Sequence, residues 1–435
     1  MQLVMRALEW EKMKVLLISH TVLSKTGNMG KTLRGYLMGF RIDEVAQFYI
    51  HSEVPTDDSI CQNYFRFTDV DAIKSILPVK ARGSVFGKNE IDINRATTRT
   101  DNGTIGEVYQ FGRKRTGLIY MLRNILWKLG HWKTRKFKEW LNSVNPDIIM
   151  FASGDYEFMY SIAKWVSIYL DKPLVVSCVD DYYLVNANAG TFWGNLYHKL
   201  FMMSVYDTMG KADCIFTICE TMQKEYTKLF NKKCYTLYTS AENKKLTIKK
   251  GVDQISYIGN LGYDRYKQLI AIGNALHNLG RHIDIYSGEK RQEVLFELKQ
   301  AAGIVYHGEI SSKEVLKVIE NSVAVIHTES FEQEIVKKIR FSVSTKIAES
   351  LMYGPCIIAY GPEGIASIDY LKRNNAAYVI TKQENLEIGL NEILTNIGLR
   401  ERIIKNARAL AEENHNVVMN SQKVRMWMAQ LLIES

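Results

Sequence analysis

Proline is scarce in this sequence, and its cysteines lack the spacings that bind metals. Six prolines in 435 residues argue against long disordered linkers, which are usually rich in proline. The six cysteines are spread along the chain, and no two of them have C-x-x-C spacing. Neither a zinc site nor a disulfide framework is therefore indicated, and we expect a protein of the reducing cytoplasm.

Long apolar runs are also missing. No stretch of about 18 apolar residues occurs, so we expect no membrane-spanning helix. The N-terminus does not have the pattern of a signal peptide. Residues 1–12 precede a natural-looking start at Met13, Met-Lys-Val-Leu-Leu-Ile-Ser, and we interpret them as an upstream extension.

The composition is that of a globular protein with an uneven charge. Apolar residues make up 46% and charged residues 24% of the chain, and the length suggests two or three domains. The net charge is +9. Much of this charge lies between Phe111 and Trp140, where nine residues are basic and one is acidic.

Strand-like and helix-like segments alternate after Met13. The first half contains predicted strands at 14–20, 44–51, 147–153, 174–181, 214–220 and 234–240, and its signals are weak from 52 to 110. A lysine-rich stretch, 242–251, reads as a linker, and predicted strands follow at 254–260, 282–288, 304–310, 323–329, 355–361 and 376–381. This order predicts an α/β protein with parallel sheets. We place its domains at 13–241 and 252–415, followed by a C-terminal helix at 416–435.

One segment, Phe341–Gly361, combines a polar loop, a short helix, a glycine stop and a buried strand. Ser344 and Thr345 offer hydroxyls where the helix should begin, and Lys346 adds a positive charge. The first amides of a helix have no partners within it, and the helix dipole is positive there, which suits a phosphate. Glu349 follows one turn later and is placed to accept hydrogen bonds from a ribose. An ordinary polar helix cap is the alternative interpretation.

This segment resembles the donor-binding core of the nucleotide-sugar glycosyltransferases of the GT-B fold, especially retaining family 4. Glu349, five residues before Gly354, matches the second glutamate of the E-x7-E signature of that family, while Phe341 stands where the first glutamate belongs. The Ser-x-Ser-Thr-Lys version resembles a branch of enzymes that build bacterial surface polysaccharides. The resemblance implies two Rossmann-like domains facing across a cleft. It also implies an acceptor site in the first domain, a donor site in the second and a last helix that crosses back to the first.

The first strand of the second half ends in a loop suited to a diphosphate. Gly259 lets a ligand approach the backbone closely, and Arg265 and Lys267 can neutralise phosphate charge. A solvated surface loop is the alternative. The resembled family places an Arg/Lys pair on the donor diphosphate here, but Asn260 stands at its usual arginine position. The cation is therefore predicted to be Arg265 or Lys267.

A glycine loop also follows the first strand of the chain and opens a helix at Gly30. Gly30-Lys-Thr is similar to a P-loop, but Lys25 occupies the position where that motif requires its first glycine, so we reject an ATPase. In the resembled enzymes this loop faces the donor phosphates and the acceptor. A simple turn before a helix is the alternative.

A buried strand ends in two carboxylates, Asp180 and Asp181. We predict that one of them serves as a general base, an acceptor-binding group or a charge stabiliser, with a helix N-cap as the alternative. Asp155, His327 and Glu329 also end strands on the same predicted edge. The resembled fold stabilises the leaving diphosphate with a helix dipole and cations, so we expect neither a metal nor a cofactor beyond the donor.

The basic segment between Phe111 and Trp140 also contains aromatic residues. Its cations Arg113, Lys114 and Arg115 and its rings Trp127 and Trp132 are predicted to contact an anionic membrane surface. Nucleic acid is the rival partner, and a solvated helix face is the third possibility. We prefer the membrane, because enzymes of the resembled type often extend lipid-linked sugars.

The sequence therefore predicts a cytoplasmic glycosyltransferase at the inner face of the cell membrane. The acceptor is expected to be a saccharide, and we prefer a lipid-linked saccharide. Two rival hypotheses stay open. One is a sugar-nucleotide 2-epimerase of the same fold, and the other is a non-catalytic nucleotide-sugar-binding subunit, suggested by Phe341.

Overall fold

The computed structural model describes residues 12–25, 28–76, 82–91, 116–185, 190–242 and 251–434. Contacts divide the chain into two compact units. Unit 1 contains the residues up to Tyr238 and those from Asn420 onward, and unit 2 contains Thr239–Met419. Each unit has its own sheet.

The sheet of unit 1 has the strand order β4-β3-β2-β1-β5-β6-β7-β8. Neighbouring strands are parallel except for β3 and β4, which are antiparallel. The strands are β1 (Val15–Ser19), β2 (Val45–Tyr49), β3 (Tyr64–Arg66), β4 (Ser84–Phe86), β5 (Ile148–Ala152), β6 (Leu174–Cys178), β7 (Cys214–Thr217) and β8 (Cys234–Thr236).

The central strands of this sheet are apolar and fully buried, because helices cover both faces. The helices are α1 (Asn28–Leu37), α2 (Asp69–Lys74), α3 (Gly117–Leu129), α4 (Arg135–Val144), α5 (Glu157–Leu170), α6 (Phe192–Lys211) and α7 (Glu220–Phe230). The chain order reverses at β1, which pairs with β2 on one side and with β5 on the other. Open α/β sheets bind ligands at such a switch point, beyond the carboxyl ends of the strands.

Unit 2 contains a parallel sheet with the strand order β11-β10-β9-β12-β13-β14. Its strands are β9 (Gln254–Ile258), β10 (Ile283–Tyr286), β11 (Ile304–Gly308), β12 (Ser322–Thr328), β13 (Cys356–Tyr360) and β14 (Tyr378–Ile380). Its helices are α8 (Arg265–Asn278), α9 (Gln292–Gln300), α10 (Ser312–Glu320), α11 (Gln333–Ile339), α12 (Thr345–Tyr353), α13 (Ala366–Arg373), α14 (Leu386–Thr395) and α15 (Ile397–Asn414). The order reverses at β9, which pairs with both β10 and β12.

The C-terminal helix, α16 (Val417–Glu434), contributes to the core of unit 1. Val424, Met428 and Leu431 join the cluster that contains β1 and α1. Trp427 stacks on Tyr235 with ring centroids 4.5 Å apart. The prediction that the last helix returns to the first domain is confirmed.

The predicted α/β class and its alternation of strands and helices are confirmed. Each strand predicted from the sequence is present, and each lies within its predicted range except β12, which begins one residue earlier, at Ser322. The sequence did not predict β3 and β4, which have three residues each and lie between 52 and 110, where the strand signals are weak. Most of the predicted linker, 243–250, lies outside the described residues. Among the helices that the structure describes, none is both long enough and apolar enough to cross a membrane.

Candidate functional site

In unit 2 the carboxyl end of β9 meets the beginning of α12. Nζ of Lys346 donates a hydrogen bond to the carbonyl oxygen of Ile258 at 3.0 Å. Ser344 is the N-cap of α12, and its hydroxyl accepts a hydrogen bond from the amide of Lys346 at 3.3 Å. Thr345 is the first residue of the helix and is exposed. A polar, positively charged helix N-terminus therefore lies at the switch point of the sheet.

Packing and a tight stop hold α12 in place. Its inward face is apolar and buried, formed by Ile347, Ala348, Leu351, Met352 and Tyr353. The amide of Gly354 closes the last turn on the carbonyl oxygen of Ser350 at 2.9 Å. A Cβ at Gly354 would lie 2.6 Å from that oxygen, so only glycine fits where the helix meets β13.

The loop between β9 and α8 is compact and strained. The Tyr257 hydroxyl donates to the carbonyl oxygen of Asn260 at 2.6 Å, and a Cβ at Gly259 would lie 2.6 Å from that hydroxyl. The Asn260 side chain is occupied, since its Oδ1 accepts a hydrogen bond from the amide of Gly262. Tyr263 and Asp264 both have φ of 55°, a left-handed conformation that costs energy in residues with a side chain. Such strain often occurs at ligand-binding loops.

The two cations predicted for this loop have different partners. Arg265 makes a paired contact with Glu329 beyond β12, with Nε 2.9 Å from Oε2 and Nη2 3.0 Å from Oε1. Glu329 is only 1% exposed, so this ion pair is buried. Lys267 instead pairs with the adjacent Asp264 at 2.7 Å on the exposed surface. The positive charge of Arg265 contributes to lowering the pKa of Lys346, so these two cations lie close together.

The charges at this edge influence one another. Burial, together with the charge of Arg265, lowers the pKa of His327 to about 3, so its ring is neutral. Burial raises the pKa of Glu329, and the guanidinium of Arg265 opposes that effect. Desolvation lowers the pKa of Lys346, while the carboxylate of Glu349 favours its charged form. Glu349 therefore lies within electrostatic reach of Lys346, one turn along α12.

Position 341 carries no acidic group in this fold. Phe341 is 2% exposed, and the guanidinium of Arg340 lies 4.3 Å from the centre of its ring. Its side chain therefore belongs to the packed interior. Glu329 is a carboxylate of the same edge, and its two oxygens are already paired with Arg265.

In unit 1 the loop after β1 is held by a buried glutamine. Nε2 of Gln47 donates to the Ser19 hydroxyl at 2.7 Å, and its Oε1 accepts from the amide of Leu23 at 3.0 Å. Gly30 lies in the first turn of α1, where a Cβ would lie 2.5 Å from the carbonyl oxygen of Val22. Close packing therefore accounts for this glycine. Residues 26–27 of the predicted loop lie outside the described part.

The two predicted catalytic carboxylates differ in their surroundings. Asp180 is exposed beyond the end of β6. Asp181 accepts hydrogen bonds through Oδ1 from the amides of Tyr183 and Leu184, at 3.2 and 3.0 Å, and from the Tyr226 hydroxyl at 2.9 Å. Asp181 therefore holds the loop that follows the strand, but it is not a helix N-cap, because Thr191 caps α6, the next helix of the described chain.

A second polar cluster lies at the carboxyl edge of unit 1, and the sequence did not predict it as a site. The ring of His20, beyond β1, lies 5.5 Å from that of His51 and 5.0 Å from that of Tyr156. Nδ1 of His51 is 3.4 Å from a carboxylate oxygen of Glu53, and Asp155 accepts a hydrogen bond from a tyrosine hydroxyl. His20 directly follows the first strand of the chain, and this position is the sequence feature that could have identified it as a site residue. These groups are able to bind hydroxyls and to exchange protons.

The predicted membrane-surface residues need a correction. Arg113, Lys114 and Arg115 lie outside the described residues. Trp127 is fully buried, where its Nε1 donates to Asp69 at 2.7 Å and its ring stacks on Phe158 at 4.3 Å. The prediction that this ring lies at the membrane surface is therefore wrong, because the ring fills the core beneath α3.

Trp132 is partly buried. Its ring packs edge-on against Trp165, with centroids 5.2 Å apart. The Lys133 ammonium lies 5.2 Å from the centre of the Trp132 ring. Much of this ring therefore contacts protein rather than solvent.

Metal ligands do not gather in the part of the chain that the structure describes. There, His, Cys, Asp and Glu side chains form no group of three or more suited to an ion. Metal independence remains a prediction.

Comparison with known proteins identifies the fold. The chain matches HepE of Anabaena in complex with UDP, with 12% identity over 96% of this chain and 100% of that one, at a TM-score of 0.59. A UDP-forming trehalose-phosphate synthase of Burkholderia xenovorans in complex with glucose-6-phosphate matches at 10% identity, over 96% and 99% of the two chains, with a TM-score of 0.56. Sucrose-phosphate synthase of Thermosynechococcus elongatus matches at 10% identity, over 97% and 100%, with a TM-score of 0.55.

Comparison of the sequence with protein-family models and with curated proteins gave no match. The structural likeness covers nearly the whole chain, and the chain therefore has the two-domain GT-B fold. The fold expected from the motif around Glu349 is confirmed.

Proposed function

We propose that this protein is a glycosyltransferase that moves a sugar from a nucleotide-diphosphate sugar to a saccharide acceptor. The observation that carries the proposal is the contact between α12 and the end of β9. There Ser344, Lys346 and the helix dipole meet close to Arg265. Together they offer amides, a hydroxyl and two positive charges to a diphosphate.

The proposed donor site assigns a role to each of its residues. Thr345 and the backbone of Gly259 lie close to the phosphates, and Glu349 accepts hydrogen bonds from the ribose. Asn260 shapes the loop through its side chain, while Lys267 stays at the periphery because it pairs with Asp264. Uridine is the first base to test, since HepE was solved in complex with UDP and with UDP-glucose.

Transfer breaks the bond between the anomeric carbon and the diphosphate, and forms one to an acceptor hydroxyl that loses its proton. Positive charge at the diphosphate stabilises the leaving group as negative charge develops there. We assign acceptor binding to the carboxyl edge of unit 1. Asp180, the exposed carboxylate there, is the proposed group for the acceptor proton, and Asp181 orients its loop. Gly30 supports this edge by letting α1 pack closely.

The finer parts of the proposal rest on the resemblance to family 4. They are retention of configuration, a lipid-linked acceptor, and a role in bacterial surface polysaccharide synthesis at the cytoplasmic face of the membrane. The high positive charge of the chain supports work near anionic lipids.

Thermal unfolding in the presence of nucleotides tests the proposal. We expect UDP, GDP or dTDP to stabilise the full-length protein, because a ligand at 100 times its Kd adds about 2.7 kcal/mol to the stability of the state that binds it. The matching nucleotide sugar should then be slowly hydrolysed without an acceptor. Binding without hydrolysis or transfer would favour a sensor, conversion to an epimer would favour a 2-epimerase, and absence of any nucleotide binding would contradict all three.

Chelation provides a second test. We expect EDTA to leave the transfer rate unchanged, because cationic side chains and helix amides take the place of a metal at the diphosphate. The measurement is the initial rate of nucleotide release before and after dialysis against EDTA. A loss of rate that Mg²⁺ or Mn²⁺ restores would show that an ion takes part.

A further inference from the structure

Helix α3 of unit 1 exposes a row of aliphatic side chains. Leu118, Leu122, Ile125 and Leu129 follow one another at intervals of four, three and four residues, which places them on one face of the helix. Each is at least 42% exposed. The opposite face carries Trp127 into the core, so α3 is apolar on both sides.

Helix α6 extends this apolar face. A Cβ at Gly117 would lie 2.3 Å from the amide of Gly194, and Tyr120 stacks on Tyr197 at 4.9 Å. These contacts advance by three residues on both helices, so α3 and α6 run side by side in the same direction. Phe192 and Trp193, at the start of α6, therefore lie beside the start of α3. We call the set the α3–α6 surface: Leu118, Leu122, Ile125, Leu129, Phe192 and Trp193, which are 42–73% exposed.

This surface differs from ordinary exposed apolar residues. Six large exposed side chains lie on two helices that pack against each other, whereas in unit 2 Phe296 and Ile388 are exposed singly on α9 and α14. Single exposed apolar residues are common on protein surfaces, but contiguous patches mark interaction sites.

The positive charge around the α3–α6 surface favours an anionic partner. No acidic residue occurs in α3, and α6 has only Asp207, which is paired with Lys164. Lys128 and Lys199 are exposed on the same two helices, and Nζ of Lys128 lies 3.8 Å from a carboxylate oxygen of Glu157. From Thr116 to Trp140 the chain has six basic residues and one acidic residue. Two copies of this face would oppose like charges, whereas an anionic bilayer attracts the cations and accepts the aliphatic side chains.

We infer that the α3–α6 surface inserts into the headgroup region of an anionic lipid bilayer. This inference deepens the proposed function by assigning membrane contact to aliphatic side chains and two exposed rings, in place of Trp127. It rests on the proposed function only for the purpose of membrane binding, which is to bring the enzyme to a lipid-linked acceptor. The row on α3 spans about 16 Å at 1.5 Å per residue, which suits a helix lying in the plane of the interface.

Vesicle sedimentation tests the inference. The full-length protein should bind phosphatidylcholine vesicles in which a quarter of the lipid is phosphatidylglycerol, and should bind pure phosphatidylcholine more weakly. Replacing Leu122, Ile125 and Leu129 together with glutamine keeps helix propensity. This triple variant should partition at least tenfold more weakly, a change of about 1.4 kcal/mol. The matched control replaces Phe296 and Ile388 with glutamine, and should bind as the unaltered protein does.

Two further measurements decide the outcome. Chemical denaturation must show that the triple variant folds, and its affinity for the nucleotide should equal that of the unaltered protein, since the donor site belongs to unit 2. Equal vesicle binding by the triple variant, or none by the unaltered protein, would overturn the inference while leaving the proposed function standing. Self-association of the unaltered protein in sedimentation equilibrium, lost in the triple variant, would overturn it in favour of a second copy.

Discussion

Replacing Arg265 with methionine should destabilise unit 2 by about 3–5 kcal/mol, because it leaves Glu329 as a buried charge without its partner. The Glu329 side chain is 1% exposed and both its oxygens contact the guanidinium. The measurement is the free energy of unfolding from urea denaturation. Lys267→Met is the matched control, since that lysine makes an exposed ion pair and such pairs contribute about 0–1 kcal/mol.

Two additional results would separate the contribution of Arg265 to stability from its contribution to ligand binding. Without Arg265 the folded-state pKa of Glu329 rises further, so the folded protein binds a proton more readily than the unfolded chain does. The stability lost in Arg265→Met should therefore return in part as the pH is lowered. Arg265→Met combined with Glu329→Leu should recover most of the stability but not the affinity for a nucleoside diphosphate. Full nucleotide affinity in the folded double variant would remove Arg265 from the proposed donor site.

Glu349→Ala should weaken binding of the matching nucleoside diphosphate at least tenfold. A hydrogen bond to a charged group contributes about 1.5–3 kcal/mol, and each 1.4 kcal/mol is about a factor of ten in affinity. Isothermal titration calorimetry gives the dissociation constants. Glu334→Ala is the control, because that glutamate forms an exposed ion pair with Lys337 on α11.

A nucleotide without ribose hydroxyls makes this test specific to the contact. The dideoxy nucleotide should bind the unaltered protein about as weakly as the complete nucleotide binds Glu349→Ala. The same substitution should then cause little further loss for the dideoxy nucleotide, because the two changes remove one interaction. Unchanged affinity in folded Glu349→Ala would contradict the ribose assignment.

Local patterns in the sequence were sufficient for the architecture and for the centre of the donor site. Apolar runs of five residues bounded by turn residues identified the buried parallel strands, because strands covered on both faces must be apolar throughout. Ser344, Lys346 and Glu349 were predicted together because they lie at the cap and within the first five residues of one helix. The spacing of these residues is a property of the helix itself.

The choice between Arg265 and Lys267 depended on contacts between distant parts of the chain. The two side chains are two residues apart on a helix, so they point in different directions. Which of them faces the site depends on Glu329, 64 residues away in the sequence. The burial of Trp127 and the proximity of His20 to His51 could not be predicted for the same reason. When both faces of a helix are apolar, the sequence does not show whether an aromatic residue of that helix faces the core or the solvent.

The sequence by itself determined the α/β class, the parallel sheets, the helix cap at Ser344 and the excess of positive charge. Only the tertiary structure decided that Arg265 joins Lys346, that Trp127 is core and that Leu122 is surface. It also decided that His20 lies near His51, each beyond its own strand. The physical reason is that helix and strand periodicity are short-range, whereas burial and ion pairing depend on which elements the fold places side by side.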